Sequence, residues 1–157
     1  MITIKHKYTN EVILEIESLC NANLRCSNLS GANLSEANLS EANLSNADLI
    51  NADLRCSNLS GANLRYADLR YADLLNADLS GADLCWCIGN MCEIKSAQFD
   101  TYEVTWSKDS LAIGYQQHLI KEWWQFDDAT ITKMDGDMLL WWKKWKLVLQ
   151  QIVEMST

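Results

Sequence analysis

The sequence predicts an all-β rod, in which the chain coils around a leucine-lined axis, followed by an α-helical C-terminal segment. Leucine recurs at every fifth position from Leu19 to Leu84, preceded by Asn or Asp at all but Ser18, and a small residue stands two places before each leucine from Leu24 on. This pattern ends before residue 107, beyond which five of the seven tryptophans lie. We therefore expect one continuous domain with a rod in residues 1–106 and a helical segment in residues 107–157.

A period of five residues requires a chain that turns regularly. On an α-helix five residues advance by about 500°, so the leucines would share no face. On a continuous strand an odd period would place successive leucines on opposite faces. All of them are buried if Ala-Asx-Leu forms a three-residue strand and the next two residues turn a corner. Each coil then stacks on the previous one at the strand spacing of about 4.8 Å.

The second corner position gives a mixed signal about backbone conformation. Residues that adopt left-handed conformations readily are common there, namely Gly31, Asn46, Asn51, Gly61, Asn76 and Gly81. The same position also holds Cys26, Glu36, Glu41, Cys56, Tyr66, Tyr71 and Trp86. Because these larger side chains disfavour positive φ, we expect that the corner does not require positive φ everywhere.

Charge and hydropathy exclude several functional classes. The chain carries 13 Lys and Arg against 21 Asp and Glu, a net charge of −8, which disfavours direct binding to nucleic acid or to an anionic membrane. It contains neither an apolar run of 18 residues nor an N-terminal signal segment. We therefore expect a cytoplasmic protein whose six cysteines are thiols.

The motif Ala-(Asp/Asn)-Leu-x-x, unbroken over residues 17–86, resembles that of the pentapeptide-repeat family. The resemblance implies a right-handed quadrilateral β-helix with four pentapeptides per coil. Three and a half coils would then form a rod about 17 Å long. The C-terminal tail is similar to the tails of small pentapeptide proteins encoded by bacteriophages. That similarity implies a phage-borne protein acting in the host cytoplasm.

The segments on both sides of the repeat continue its register weakly. Residues 8–17 are predicted to form a strand or hairpin in which Val12 and Leu14 extend the rod by one coil. Residues 92–104 also fall on the expected positions, although Gly89 interrupts the phase. We therefore expect an N-terminal strand cap and a degenerate last coil.

Residues 138–155 are predicted to form a helix, with Asp137 as its N-cap. We consider three roles for this aromatic segment: a cap over the open end of the rod, a homodimer interface, and a membrane-surface helix. The acidity of the chain argues against the last. The residues expected to form the cap or the interface are Trp123, Trp124, Trp141, Trp142 and Trp145.

The sequence gives no indication of catalysis. His6 and His118, the two histidines, lie more than a hundred residues apart, and neither a nucleophile motif nor a phosphate loop is present. Cys85, Cys87 and Cys92 lack the spacing of a zinc site, and the last two fall on the inward position usually held by alanine. We therefore expect a non-enzymatic protein with no metal or cofactor.

The aspartates suggest a protein-binding surface. With 20 residues per coil, Asp48 stacks with Asp68 and Asp53 with Asp73. Residues 17–86 contain nine acids and four arginines over about 17 Å, where duplex DNA would carry about ten charges. Rods of the family are thought to imitate DNA towards topoisomerases, so the resemblance implies a host protein that is bound and inhibited, such as a DNA-binding enzyme or a defence factor. The expected partner-binding residues are Asp48, Asp53, Asp68, Asp73, Asp78 and Asp83.

Three considerations oppose DNA mimicry. Arg55 lies beside Asp53 and Asp73, and Arg70 beside Asp68, so part of the acidic field is cancelled. The rod is short enough that mimicry would require an end-to-end dimer. Asn and Asp can also serve at this position by hydrogen bonding the nearby backbone.

A second surface favours a small ligand instead. Arginines beside aromatic rings suit a nucleotide or a signalling molecule, which such a protein would sequester. The candidate ligand-binding residues are Arg65, Tyr66, Arg70, Tyr71 and Trp86.

Overall fold

The computed structural model describes residues 1–156 and shows a rod between two flanking units. Before the rod lie strands β1 (Ile2–Lys5) and β2 (Val12–Ile16). After it come β3 (Lys95–Phe99), β4 (Tyr102–Trp106), β5 (Ser110–Ile113) and β6 (Gln116–Leu119). Three helices complete the chain: α1 (Ile120–Gln125), α2 (Asp128–Met134) and α3 (Met138–Ser156). Within residues 1–156, no helix is both long and apolar enough to cross a membrane.

The rod is a stack of coils in which the Asx at the centre of a short strand is paired with the residue 20 positions further on. Parallel bridges join Asn23 to Asn43 and Asp48 to Asp68. The amide of Leu24 donates to the carbonyl of Asn43 at 2.8 Å, and the amide of Asn43 donates to the carbonyl of Ala22 at 2.8 Å. A repeat of 20 residues contains four pentapeptides, so the coil is four-sided as expected.

Leucine and alanine side chains fill the interior of the rod. Every repeat leucine is buried except Leu79, which is partly exposed in the last coil together with Ala77. In each three-residue strand the side chain of the central Asx points outward, and the side chains of the residues before and after it point inward. The interior is therefore a continuous apolar column along the rod.

Every corner of the rod holds its second residue in the left-handed region, with φ between 57° and 69°. The expectation that larger side chains exclude this conformation is therefore wrong. The amide of Ser27 donates to the carbonyl of Leu24 at 3.1 Å, which closes the turn, and the amide of Cys26 donates to the next coil at 3.0 Å. Left-handed backbone costs about 1–2 kcal/mol per non-glycine residue. The corner bonds and the burial of each leucine outweigh this cost at Cys26, Glu36, Glu41, Cys56, Tyr66, Tyr71 and Trp86.

The N-terminal segment is an antiparallel hairpin rather than an additional coil. β1 pairs with β2, and Ile4 lies opposite Leu14. The carbonyl of Lys5 accepts from the amide of Asn33 at 2.7 Å, so the end of β1 pairs with the first coil. The turn between the two strands contains Asn10 with φ 63°, which lets the chain reverse locally. The hairpin thus provides the strand cap that the sequence indicated, without the expected continuation of the coil.

The expected degenerate last coil is replaced by an antiparallel sheet in the order β3-β4-β5-β6. Tight reversals at Asp100 (φ 52°) and Gly114 (φ 58°) pair each strand with its neighbour in sequence. These local pairings require no 20-residue closure, and so they are favoured over another coil. Residues 107–157 are consequently not an all-helical segment, because β5 and β6 lie within them.

The three helices pack with this sheet to form a second apolar core, separate from that of the rod. The indole of Trp141 donates to the carbonyl of Phe99 at 2.6 Å, and the indole of Trp106 donates to the hydroxyl of Ser156 at 2.9 Å. We call residues 95–156 the C-terminal unit. The helices lie against the sheet, and the groups that bond the end of the rod come from other elements.

A side-chain amide closes one side of the last coil. The amide of Leu84 donates to Oε1 of Gln117 at 2.7 Å, and Nε2 of Gln117 donates to the carbonyl of Ala82 at 2.5 Å. One coil earlier, Asp83 makes the same two bonds through its backbone, accepting from Leu64 and donating to Ala62. The primary amide of Gln117 therefore substitutes for a peptide group of an additional coil.

Removal of this amide is expected to weaken the end of the rod. Gln117→Ala leaves the amide of Leu84 and the carbonyl of Ala82 unpaired, at a cost of about 2 kcal/mol. Gln117→Glu retains an acceptor but places a carboxylate against a carbonyl, so it should destabilise at least as much. Urea denaturation followed by circular dichroism measures both changes. The neighbouring Gln116→Ala is the control, and equal stability of the three variants would contradict the role of Gln117.

Candidate functional site

The outward Asn or Asp of each repeat has a structural role. Its Oδ1 accepts the amide of the residue two positions on, as Asp48 does from Ile50 at 3.0 Å and Asn58 does from Ser60 at 2.9 Å. This bond recurs at all thirteen Asx positions from Asn23 to Asp83. Because an amide oxygen serves as well as a carboxylate oxygen, the charge of the aspartates is an addition that the fold does not need.

The aspartates stack in the columns that the 20-residue coil implied. Asp48 bridges to Asp68 on one face, and Asp53 bridges to Asp73 on the next. On the two remaining faces Asp78 stacks on Asn58 and Asp83 on Asn63. We call these six aspartates the acidic ladder. The two stacked pairs, Asp48 with Asp68 and Asp53 with Asp73, lie at the strand spacing, so their carboxylates repel each other unless a cation lies between them.

Arginines neutralise half of the acidic ladder. Arg55 donates to both oxygens of Asp53, at 2.8 and 2.6 Å, and its Nε lies 3.7 Å from Asp73. Hydrogen bonds from Arg55 lower the pKa of Asp53, and those from Arg70 lower the pKa of Asp68. Asp83 is paired with Arg65 at 3.1 Å.

The remaining carboxylates are less compensated. Within residues 1–156, Asp48 and Asp78 form no ion pair, and Asp73 has only the longer contact with Arg55. The uncompensated charge of the acidic ladder is therefore spread over three faces of the rod.

The structure divides the candidate ligand-binding residues into two groups. Tyr66 stacks on Trp86 with ring centroids 6.2 Å apart, and Trp86 packs against Tyr115 at 5.5 Å. The guanidinium of Arg65 lies 5.3 Å from the ring of Tyr115. We call Arg65, Tyr66, Trp86 and Tyr115 the aromatic corner. It connects the rod to the turn between β5 and β6, while Tyr66 and Tyr115 stay 44% and 66% exposed.

Arg70 and Tyr71 lie at the next corner of the coil, apart from this cluster. Nη2 of Arg70 lies 2.7 Å from Asp68, and the side chain of Tyr71 is 77% exposed. The five residues expected from the sequence thus do not form one site. Tyr115 was not predicted, because no local pattern connects a turn residue with a repeat 49 positions earlier.

The expected cap and interface tryptophans form the core of the C-terminal unit. Trp123 is fully buried, and its indole donates to the carbonyl of Leu111 at 2.7 Å. Trp124 stacks on Trp142, and Trp145 donates to Asp100 at 3.0 Å. With Trp141 bonded to the sheet, these rings face inwards. They are therefore not the exposed anchors that an interface needs.

Cys85, Cys87 and His118 have packing roles in the structure. Burial raises the pKa of the Cys85 thiol to about 12 and also raises the pKa of Cys87, so both are neutral thiols at pH 7. Cys92 is exposed, contrary to its expected inward position, because the coil ends before it. His118 packs edge-on against Trp123 at 5.4 Å. In the part of the chain that the structure describes, no three His, Cys, Asp or Glu residues group as metal ligands.

A cleft of about 490 Å³ lies between β1 and the first coil and was not predicted. It is lined by Ile2, Ile4, Leu19, Leu34 and Glu36 among others. None of the residues expected to bind a partner or a ligand borders it. Its lining contains neither a cation nor a histidine, so its chemistry does not suit a nucleotide.

A comparison with protein-family models agrees with the repeat. Residues 18–49 and 57–88 match the family model described as “Pentapeptide repeats” in eight copies. A pentapeptide repeat protein from the thylakoid lumen of Arabidopsis thaliana is 30% identical over 43% of this chain and 46% of that one, with a TM-score of 0.42. HetL from the cyanobacterium Nostoc, a pentapeptide repeat protein involved in heterocyst differentiation regulation, is 32% identical over 46% of this chain and 40% of that one, with a TM-score of 0.23.

Another Nostoc pentapeptide repeat protein is 41% identical over 41% of this chain and 58% of that one, with a TM-score of 0.25. The chain spans about half the length of these solved proteins. No curated protein sequence matches it. The family match supports pentapeptide repeats and a right-handed β-helix for the rod, and it ends before the C-terminal unit.

Proposed function

We propose that this chain, whose rod is built of pentapeptide repeats, is a non-enzymatic protein that binds a protein partner through the side of the rod. The repeats place short polar side chains at regular intervals, and each is fixed by a hydrogen bond to its own backbone. Such a surface is rigid before binding, which lowers the entropy cost of association. A regular, rigid and acidic side suits a partner with a basic cleft.

The observation that carries the proposal is the acidic ladder. Asn would make the same backbone bond at each position, so the aspartates add charge without a structural need. Asp48 and Asp68 on one face, with Asp53 and Asp73 on the next, form two adjacent rows at the strand spacing. Rows of fixed negative charge resemble a phosphate backbone in charge and rigidity. We infer a DNA-binding enzyme of a host cell as the partner, inhibited by occupation of its DNA site.

The size of the rod limits which sites it can fill. A full helical turn of duplex DNA is about 34–36 Å long, so a rod of about 17 Å covers roughly half a turn. Arg55, Arg65 and Arg70 also reduce the field of the ladder. The proposal therefore requires a short basic site rather than a long groove. An origin in a bacteriophage is part of the proposal and rests on the similarity of the tail alone.

Neutralising the centre of the ladder is expected to abolish inhibition. The variant carries Asp48→Asn, Asp53→Asn, Asp68→Asn and Asp73→Asn, and it should remain folded because Asn accepts the same amide. The assay is supercoiling by a purified bacterial type II topoisomerase, titrated with the chain and with competing duplex DNA. Wild type should inhibit, duplex should relieve the inhibition, and the variant should lose at least about tenfold in potency.

A matched control removes the same number of charges elsewhere, through Glu11→Gln, Glu15→Gln, Asp109→Asn and Asp137→Asn. It should inhibit like wild type if the position of the charges matters. Full inhibition by the ladder variant, or an equal loss in both variants, would contradict mimicry. A wild-type chain that does not inhibit would exclude this class of partner.

A second candidate is sequestration of a small anion, such as a nucleotide or a signalling molecule. The observation in its favour is the exposed pair Arg70 and Tyr71, in which a guanidinium and an aromatic ring stand together at one corner. Asp68 is paired with that guanidinium, so an anion would have to displace Asp68 or share the guanidinium with it. A thermal shift with nucleotides that survives in the ladder variant and disappears in Arg70→Ala would favour this function.

A further inference from the structure

Helix α3 has two apolar faces, and only one of them is covered. The first, with Trp141, Trp142 and Leu149, packs into the C-terminal unit. The second consists of Leu140, Leu147, Val148 and Met155, whose exposed fractions are 81%, 73%, 37% and 88%. At 100° per residue these four lie within about 100° of one another around the helix, in a sector that also contains Lys144 and Gln151. We call them the outer stripe.

The outer stripe is symmetric about its own centre. Leu140 lies seven residues before Leu147, and Met155 lies seven residues after Val148. If two copies pair antiparallel with the two-fold axis between residues 147 and 148, Leu140 lies opposite Met155 of the other copy. Leu147 then faces Val148 of the other copy. A patch that complements itself in this way is what a two-fold interface requires.

The charges beside the stripe suit the same arrangement. Lys143 and Glu154 are 11 residues apart, which places them at nearly the same angle around the helix. In the antiparallel pair they lie on the same side, within one turn of each other across the interface. Each copy would therefore place Lys143, which also contacts Asp128 of its own chain at 2.6 Å, near Glu154 of its counterpart. In a parallel pair, Lys143 and Glu154 would lie about 16 Å apart along the helix axes and could not pair.

The lysines of α3 also favour a second copy over an anionic membrane. Lys143 is paired with Asp128 at 2.6 Å, and Lys144 with Asp100 at 2.6 Å. Lys146 donates to the carbonyl of Trp124 at 3.2 Å. These intramolecular contacts reduce the positive charge that anionic lipid would attract, in a chain of net charge −8.

We propose that the outer stripe pairs antiparallel with the outer stripe of a second copy, forming a two-fold dimer through α3. The helix is about 28 Å long, and one face of it offers less than the roughly 800 Å² per partner of a standard interface. The dimer is therefore weak and depends on concentration. It leaves the rod of each copy uncovered by α3, so it is independent of the partner proposed for the acidic ladder.

Sedimentation velocity over a range of concentrations tests the dimer. Wild type should shift from monomer to dimer as concentration rises. Leu147→Glu keeps a good helix former but brings two carboxylates together near the two-fold axis, and it should raise the dimer Kd by about tenfold or more. Leu75→Glu, at an exposed leucine of the rod, is the matched control and should dimerise like wild type. Circular dichroism verifies that both variants are folded.

Charge exchange tests the antiparallel register. Lys143→Glu and Glu154→Lys should each weaken the dimer, and the double variant should restore it. Failure of restoration would overturn the register, and a wild-type chain that stays monomeric throughout would overturn the dimer. Flotation with vesicles of phosphatidylglycerol and phosphatidylcholine provides the competing outcome. A monomer that floats with these vesicles, and stops floating in Leu147→Glu, would assign the stripe to a membrane instead.

Discussion

Trp123→Ala is expected to lower the free energy of unfolding of the C-terminal unit by about 3–5 kcal/mol, the usual cost of truncating a buried aromatic ring. Trp123 is fully buried, and its ring packs against Trp142 at 5.4 Å. The substitution also removes the hydrogen bond to the carbonyl of Leu111. Because β5, α1 and α3 all contact this ring or its neighbours, no other side chain can fill the space without a shift of the helices.

Hydrogen exchange distinguishes the two cores in this variant. The amides of β4 to β6 and of α3 should lose protection, whereas those in the middle of the rod should keep it, since the apolar clusters are separate. Trp123→Phe retains most of the ring and should cost less. Loss of protection throughout the rod would show that the two cores unfold together and would contradict this expectation.

Leu54→Ala is expected to cost about 2–5 kcal/mol in the stability of the rod. Leu54 is fully buried in the middle of the apolar column, one coil above Leu34 and one coil below Leu74. The coils above and below are tied by backbone bonds at about 2.8 Å, so they cannot collapse into the cavity. Because each coil contacts only the coils next to it, a loss of packing energy in one coil also destabilises the adjacent coils.

Leu75→Ala is the matched control, because this leucine of the same rod is 54% exposed. It should change stability by less than about 0.5 kcal/mol. Urea denaturation followed by far-ultraviolet circular dichroism measures both variants. Equal midpoints would show that the leucine column does not determine the stability of the rod.

The rod could be predicted because its rules are local. The five-residue period, the small residue and the Asx each act within one corner and one strand, so the sequence shows them directly. The corner backbone could not be predicted as easily. Side-chain preference argued against positive φ at Tyr66 and Glu36, but backbone bonds to the next coil determine φ there.

The degenerate last coil was mispredicted because residues 92–104 fit two pairings, whereas the helix expected over residues 138–155 is present as α3. Their spacing suits a further coil as well as a hairpin, and the reversal at Asp100 selects the hairpin. Gln117 and Tyr115 gave no signal at all. Their contacts lie 33 and 49 positions away in the chain, and a polar or aromatic residue in a strand or turn has no feature that predicts such a contact.

The hairpin and the C-terminal unit are each bonded to the rod at a defined coil, and this fixes the angle between them around the rod axis. The hairpin bonds Asn33, and Gln117 bonds Ala82 and Leu84, so the number of intervening pentapeptides determines the angle between the flanking units. Insertion of one pentapeptide would rotate one end by a quarter turn relative to the other. Insertion of four would separate the ends by about 4.8 Å and restore the original angle. Evolution of such a chain by small duplications would therefore reorient its ends before it lengthened the molecule appreciably.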